Sequence, residues 1–292
     1  MLGVYPFCPR RGLALCAEEI AEILAAASSG STVVEVSVGI GTGKAALRSS
    51  GGLVELGGVT VDAGKLASAA REGGEDDVFF LTEGGEVVKV AFFRGHLYYK
   101  LEGLGRGVAP TLEISGIRMH NIVGTDPWRD ARRKVELVGV GPGDVVLDVC
   151  TGLGYTASHA VARGAEVVTV EKDVAVLEVA EYNPWSRLLA HPSVTILLGD
   201  ALEVLEELPE GCFDAAVHDP PTFRIAGELY GLEFYRRLRR VLRRGARVFH
   251  YTGWPGKHRG LDIQRGVARR MRAAGFRVLR AIRGYGILAE AV

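Results

Sequence analysis

No stretch of the 292-residue chain holds the roughly 18 consecutive apolar residues that cross a bilayer. The opening segment, MLGVYPFCPRRG, lacks the basic-then-apolar layout of a secretory signal. Both absences predict a cytoplasmic protein with no membrane partner. Cysteine is scarce: Cys8, Cys16, Cys150 and Cys212 form no Cys-x-x-Cys pair, and with the seven histidines they offer no zinc-ligand spacing. Reduced, buried thiols and no bound metal are expected. Lysine is scarce too, 7 against 28 arginines, which hints at a heat-adapted or GC-rich source and says little of function.

What is present fits a folded globular chain, with 48% hydrophobic and 24% charged residues, and its length favours two domains. The formal net charge is zero, but it is unevenly spread. Between Arg224 and Arg283 stand 16 Arg and one Lys against Glu228, Glu233 and Asp262. This basic 224–283 region has two readings: a surface for RNA or another polyanion, or solvated helix faces answered by the acidic N-terminal part.

In RGLALCAEEIAEILAAA, Leu13, Cys16, Ile20, Ile23 and Leu24 recur at helical spacing, which predicts a helix over 12–28. The β-branched runs STVVEVSVGI and GGLVELGGVTV follow, then a small helix near 64–71 and a hairpin turning at Gly84-Gly85. Residues 1–105 are therefore expected to form a small α+β domain. VGIGTGKAA resembles a phosphate loop only in part: the spacing is short and Ala45 follows Lys44, so it is rejected as one. Residues 106–125 are read as a glycine-bearing linker and a second hairpin. Pro127 then opens a helix over DPWRDARRKVELV that leads into a domain at 126–292.

From Asp144 onward strands and helices alternate, predicting an α/β, Rossmann-like, seven-stranded parallel sheet. Its last two strands, FRVLRAI and GYGILAEAV, have no helix between them, so the last should return antiparallel. Ligands of such sheets bind beyond the strands' carboxyl ends. There the sequence puts Asp148 and the turn Cys150-Thr151-Gly152-Leu153-Gly154-Tyr155, then Glu171-Lys172, Asp200-Ala201, and His218-Asp219-Pro220-Pro221. Four successive strands end in a carboxylate. Gly152-x-Gly154-x-x-Ala157 also fits a dinucleotide turn, but Asp148, Asp200 and Asp219 would repel a pyrophosphate. A cationic ligand rich in hydroxyl and amino donors reverses that argument.

Asp148-x-x-x-Gly152-x-Gly154, Glu171, Gly199-Asp200-Ala201 and Asp219-Pro220-Pro221 resemble the ordered motifs of class I S-adenosylmethionine-dependent methyltransferases. LDVCTGLGYTA, VEKD, NPWS, HDPPTF and FHYTGWPGK resemble a set of archaeal predicted methyltransferases within that class. Cys150 departs from the pattern, standing where the family has its first motif glycine. The resemblance implies S-adenosyl-L-methionine as cofactor, held by Asp148, Thr151, Gly152, Gly154, Tyr155, Glu171, Lys172, Asp200, Ala201 and Asp219. It also resembles, at Asp219-Pro220-Pro221-Thr222-Phe223, the motif of amino-N-methyltransferases and ribosomal RNA methyltransferases. That casts Asp219, Pro220 and Phe223 as catalytic and implies N-methylation of a base in structured RNA. LEISGIRMH and GELYGLEFY resemble spermidine synthases, which transfer aminopropyl groups to small amines. The Gly-Gly-Gly-Asp-Gly run and the acidic pocket of those enzymes have no counterpart here. No thiol is placed for cytosine C5 chemistry. His218, His250, Tyr251 and Trp254 approach the strand ends, and His250 is weighed as a base against a hydrogen-bonded structural role.

Overall fold

A computed structural model describes residues 2–29, 33–253 and 263–292. Trp254 and the first residues of the helix expected from 261 lie outside the described residues. The chain divides into two compact units: Cys8–Trp128 with Ala175–Arg187, and Met1–Phe7 with Arg129–Val174 and Leu188–Val292.

The N-terminal unit is built on antiparallel pairing. Strands Val34–Val38, Gly43–Ser50, Leu53–Leu56 and Val59–Asp62 form a meander. Leu53–Leu56 and Val59–Asp62 alternate buried and exposed positions, the period of a sheet with one wet face. The helix expected over 12–28 begins only at Ala17, because Gly12–Leu15 pairs as a strand with Phe79–Thr82. Helix periodicity in a short apolar run is overridden here by sheet pairing, and Glu19, three residues past the Cys16 cap, closes the helix start. Phe79–Thr82 and Val87–Lys89 form the hairpin around Gly84-Gly85. Gly103–Pro110 joins two strands that pair with each other, Leu97–Glu102 and Thr111–Ile114. Leu15, Ile20, Ile23, Leu47, Leu56, Leu66 and Leu81 share one core.

The glycine-rich turn after Val38 is an anion nest that the protein fills itself. The Glu19 carboxylate accepts hydrogen bonds from the amides of Cys16 (3.1 Å), Ile40 (3.0 Å) and Gly41 (2.8 Å) and from the Ser37 hydroxyl (3.0 Å). Backbone amides converge as they would on a phosphate. The bonds hold Ile40 at φ 55°, a conformation that β-branched residues rarely adopt.

The second unit carries a mostly parallel sheet. Its strands are β1 (Val145–Val149), β2 (Glu166–Glu171), β3 (Val194–Leu198), β4 (Phe213–His218), β5 (Leu242–Tyr251), β6 (Phe276–Ile282) and β7 (Gly286–Ala291), in the order 3-2-1-4-5-7-6. β7 runs antiparallel to both neighbours. The sheet has eight strands rather than seven, since Gly3–Val4 pairs antiparallel with β3 at the edge. Two residues give no period-two signal, so the sequence hid this strand. Strand order reverses between β1 and β4, and the crevice at their carboxyl ends is the topological switch point.

Arginine is distributed to hold this unit together. Helix Leu232–Val241 buries Phe234, Tyr235, Leu238 and Val241 and turns its arginines outward. Arg237 donates to the Leu202 carbonyl (2.8 Å), and Arg240 to those of Leu205 (2.5 Å) and Leu208 (2.7 Å), capping helix Ala201–Glu207. Arg239 reaches the Leu242 carbonyl (3.1 Å), Arg270 that of Tyr230 (2.7 Å), Arg277 pairs with Glu290 (2.7 Å), and Arg243 pairs with Asp214. Six of the 16 arginines between Arg224 and Arg283 thus bond carbonyls or acids of their own unit. The thiols are all free, and Cys8 is exposed rather than buried.

Candidate active site

Asp148 is the penultimate residue of β1 and fully buried, opposite Val217 of β4. Both of its oxygens are taken: Oδ1 accepts from the Thr156 hydroxyl (2.7 Å) and Oδ2 from that of Thr169 (2.8 Å). Burial pushes its pKa up to about 7 despite these bonds. Any contact with an ammonium would therefore run through water. Thr151 faces inward, sharing a 2.6 Å hydrogen bond with Thr169, and Tyr155 is buried at the start of helix Tyr155–Val161.

Cys150 has φ 73°, the left-handed conformation that glycine adopts freely. The turn therefore keeps its shape with a strained residue in the glycine's place. Its amide and that of Thr151 both bond the Val170 carbonyl (3.0 and 3.1 Å), which over-determines the geometry. Gly154, also left-handed, packs under Leu189, where a Cβ would fall 2.4 Å from a methyl carbon.

Glu171 ends β2 and its carboxylate organises the neighbouring loops. It accepts from the amides of Gly152 (3.1 Å), Lys172 (3.0 Å) and Asp173 (3.1 Å), yet burial still raises its pKa. The Lys172 side chain points to solvent. Asp200 caps helix Ala201–Glu207 through a 2.9 Å bond from the Leu202 amide, and it remains partly exposed, with Ala201 buried behind it.

Asp219 follows β4, and its amide bonds the Val149 carbonyl (3.2 Å), binding the ends of β1 and β4 together. Lys134 Nζ lies 2.5 Å from Asp219 Oδ2 and 2.7 Å from Asp130 Oδ2, beneath the Tyr251 ring at 4.3 Å. Lys134 is 4% exposed and its pKa is raised by the two acids, whereas Asp219 keeps 23% exposure at the crevice. Burial raises the Asp219 pKa and Lys134 opposes the shift. Pro220 is buried, Phe223 is 44% exposed, and the Tyr230 hydroxyl bonds the Pro221 carbonyl (2.9 Å) while its ring meets Phe223 edge-on at 5.4 Å.

Lys134, Asp130 and Tyr230 are the members sequence reasoning missed or left unassigned. A lone lysine in an arginine-rich helix, four residues after an aspartate, was the available signal. The histidine reading resolves toward structure. His218 and His250 are fully buried, bonded to one another through their Nδ1 atoms, and burial holds His250 near pKa 3. His250 is neither reachable nor basic enough to act as a base.

The rim at the switch point is thus a set of hydrogen-bond acceptors, Glu171, Asp200 and Asp219, above the buried acid Asp148. Ribose hydroxyls, an adenine amine, an ammonium and a sulfonium are donors or cations, and such a rim suits them where it would repel diphosphate. The fold is an α/β Rossmann-like one, typical of class I S-adenosylmethionine-dependent enzymes. The spermidine synthase of Thermotoga maritima has this fold, with TM-score 0.54 and 17% identity over 69% of this chain and 71% of that one.

The chain belongs to the family of the uncharacterised protein MJ1233 of Methanocaldococcus jannaschii, being 46% identical over 217 residues, 74% of each chain. A second protein of that organism, provisionally named a ribosomal RNA large subunit methyltransferase, is 39% identical over 83 residues, 28% of this chain and 21% of its own. No family model matches.

Proposed function

We propose that the protein transfers a carbon group from the sulfonium of S-adenosyl-L-methionine, or of its decarboxylated form, to the nitrogen of a small amine. The observation carrying this reading is Asp219: a carboxylate at the switch point, one oxygen held by buried Lys134 and the other left for an acceptor. Lys134 favours the ionised form, so Asp219 Oδ1 can orient an amine N–H, accept its proton after attack and stabilise the positive charge that develops on nitrogen.

When bound, the cofactor supplies an electrophilic carbon on a sulfonium, with a neutral thioether as leaving group. Glu171 would hold the ribose diol, Asp200 the adenine amine, and Asp148 the ammonium through water. Pro220 and Pro221 stiffen the acceptor loop, and Tyr230 fixes the Pro221 carbonyl. Phe223 offers an apolar cover that would exclude water from the transfer. An RNA base as acceptor is favoured less, because several of the arginines that suggested it, Arg237, Arg240, Arg270 and Arg277 among them, serve carbonyls and acids of their own unit.

The test is a transfer assay with labelled S-adenosylmethionine or its decarboxylated form, offering linear di- and triamines alongside bulk archaeal RNA. Amine product is expected, with Asp219→Asn lowering kcat about 100-fold while S-adenosylhomocysteine affinity stays within about twofold. Label found only in RNA would overturn the small-amine reading, and no affinity for either adenosyl compound would overturn the cofactor assignment.

A further inference from the structure

Two stretches that stand out in the sequence have no part in the transfer site: the glycine-rich turn ending at Lys44, and Asn183-Pro184-Trp185. In the N-terminal unit they meet. The Trp185 indole N–H donates to the Ile40 carbonyl (3.4 Å), and both stretches line a cavity of about 200 Å³. Phe80 and Tyr182, edge to face at 5.0 Å, give it an aromatic wall.

Its charge is one-sided. Arg10, Lys44 and Arg187 line it against a single lining carboxylate, Glu181. Arg10 is fixed in place, 3.0 Å from Glu181 and 5.4 Å over the Tyr182 ring. Lys44 pairs with Glu35 on the surface, both side chains more than 60% exposed, and such a pair is weak enough to exchange for a better partner. The Arg187 side chain has no ion pair or hydrogen bond among the described residues. The amides of Ile40 and Gly41 are already occupied by Glu19, so recognition falls to the side chains.

We propose that this cavity binds a small organic oxyanion, a metabolite carrying a carboxylate or phosphate group. Guanidinium and ammonium groups would take the charge, and the Phe80–Tyr182 wall would take the apolar part. The volume lies below the roughly 300–1,000 Å³ of pockets for drug-sized ligands, which excludes a dinucleotide and suits a compact ligand.

Isothermal titration of the full chain with sodium phosphate, sodium succinate and a single-stranded RNA oligonucleotide tests the proposal without any transfer assay. Phosphate, succinate or both should saturate one site per chain, and whichever binds identifies the anionic group. Arg187→Gln and Lys44→Gln should each weaken that binding about tenfold, as loss of one charge-assisted bond does. Arg247→Gln should leave it unchanged, and S-adenosylhomocysteine affinity should be the same in all variants. The proposal is overturned by no saturable heat from either small anion, by affinity in both cavity variants equal to that of the natural protein, or by binding of the RNA alone with a steep salt slope.

Discussion

Replacing Asp148 by Asn should stabilise the ligand-free protein while impairing its function. An aspartate in the unfolded chain titrates near ~3.9, whereas burial pushes Asp148 up to about 7. Between those values the folded protein holds a proton that the unfolded chain has released, so stability falls as pH rises from about 4 to about 7 and is then level. Three pH units at about 1.4 kcal/mol each give up to about 4 kcal/mol lost at neutral pH through this one group. Asparagine has no such titration, and its amide can bond both Thr156 and Thr169 if the Thr169 hydroxyl turns to accept. Urea unfolding of both proteins from pH 4 to 8 measures the effect. The variant's advantage should be near zero at pH 4 and should grow with pH toward about 4 kcal/mol. A difference that is flat with pH, or of the opposite sign, would refute the assignment of a buried, proton-holding Asp148. Function should move the other way: the variant should bind S-adenosylhomocysteine more weakly, and binding to the natural protein near pH 6 should release protons, seen as a buffer-dependent heat.

Lys134→Met leaves Asp130 and Asp219 facing each other without their shared cation, and should cost about 3–5 kcal/mol at pH 8 in the same unfolding assay. The loss should shrink toward pH 5 as Asp219 takes up a proton, since its pKa in the folded state is already raised. The His218–His250 pair predicts acid lability of the opposite origin. Both imidazoles are held neutral in the fold, so stability present above about pH 6.5 drains away as pH falls toward 3, by at most about 1.4 kcal/mol per histidine per unit. The double variant His218→Asn/His250→Asn should show a shallower acid limb, and an identical limb would count against the buried pair. At Cys150, substitution by Gly should be tolerated and by Val should cost about 2 kcal/mol more in thermal unfolding, because a β-branched residue resists φ 73°.

The alternation of the second unit and its four terminal acids were legible because both have a local cause. A parallel strand buried on two faces reads as an apolar run, and the residue that ends it must serve either a cap or a ligand. Asp200 is a cap through one oxygen and remains partly exposed, so capping does not use up its carboxylate. What lay hidden was set by long-range pairing. Gly12–Leu15 has helical spacing and became a strand because Phe79–Thr82 offered it a partner. Gly3–Val4 is too short to carry a period and is a strand only because β3 has an open edge.

The same distinction separates the position of an acid from its chemistry. Sequence placed Asp148 and Asp219 at neighbouring strand ends, as the pairing of Val149 with His218 requires. It could not say that one would be sealed under two threonines and the other steered by a lysine 85 positions away. Those environments differ in kind: burial pushes one carboxyl's pKa up to about 7, while at the other, on the crevice, a buried lysine opposes the upward push of burial. Lys134 is the residue on which that difference turns, because it meets Asp219 as a direct ion pair and reaches Asp148 only as a minor, more distant charge, so its removal should raise the Asp219 pKa more than that of Asp148.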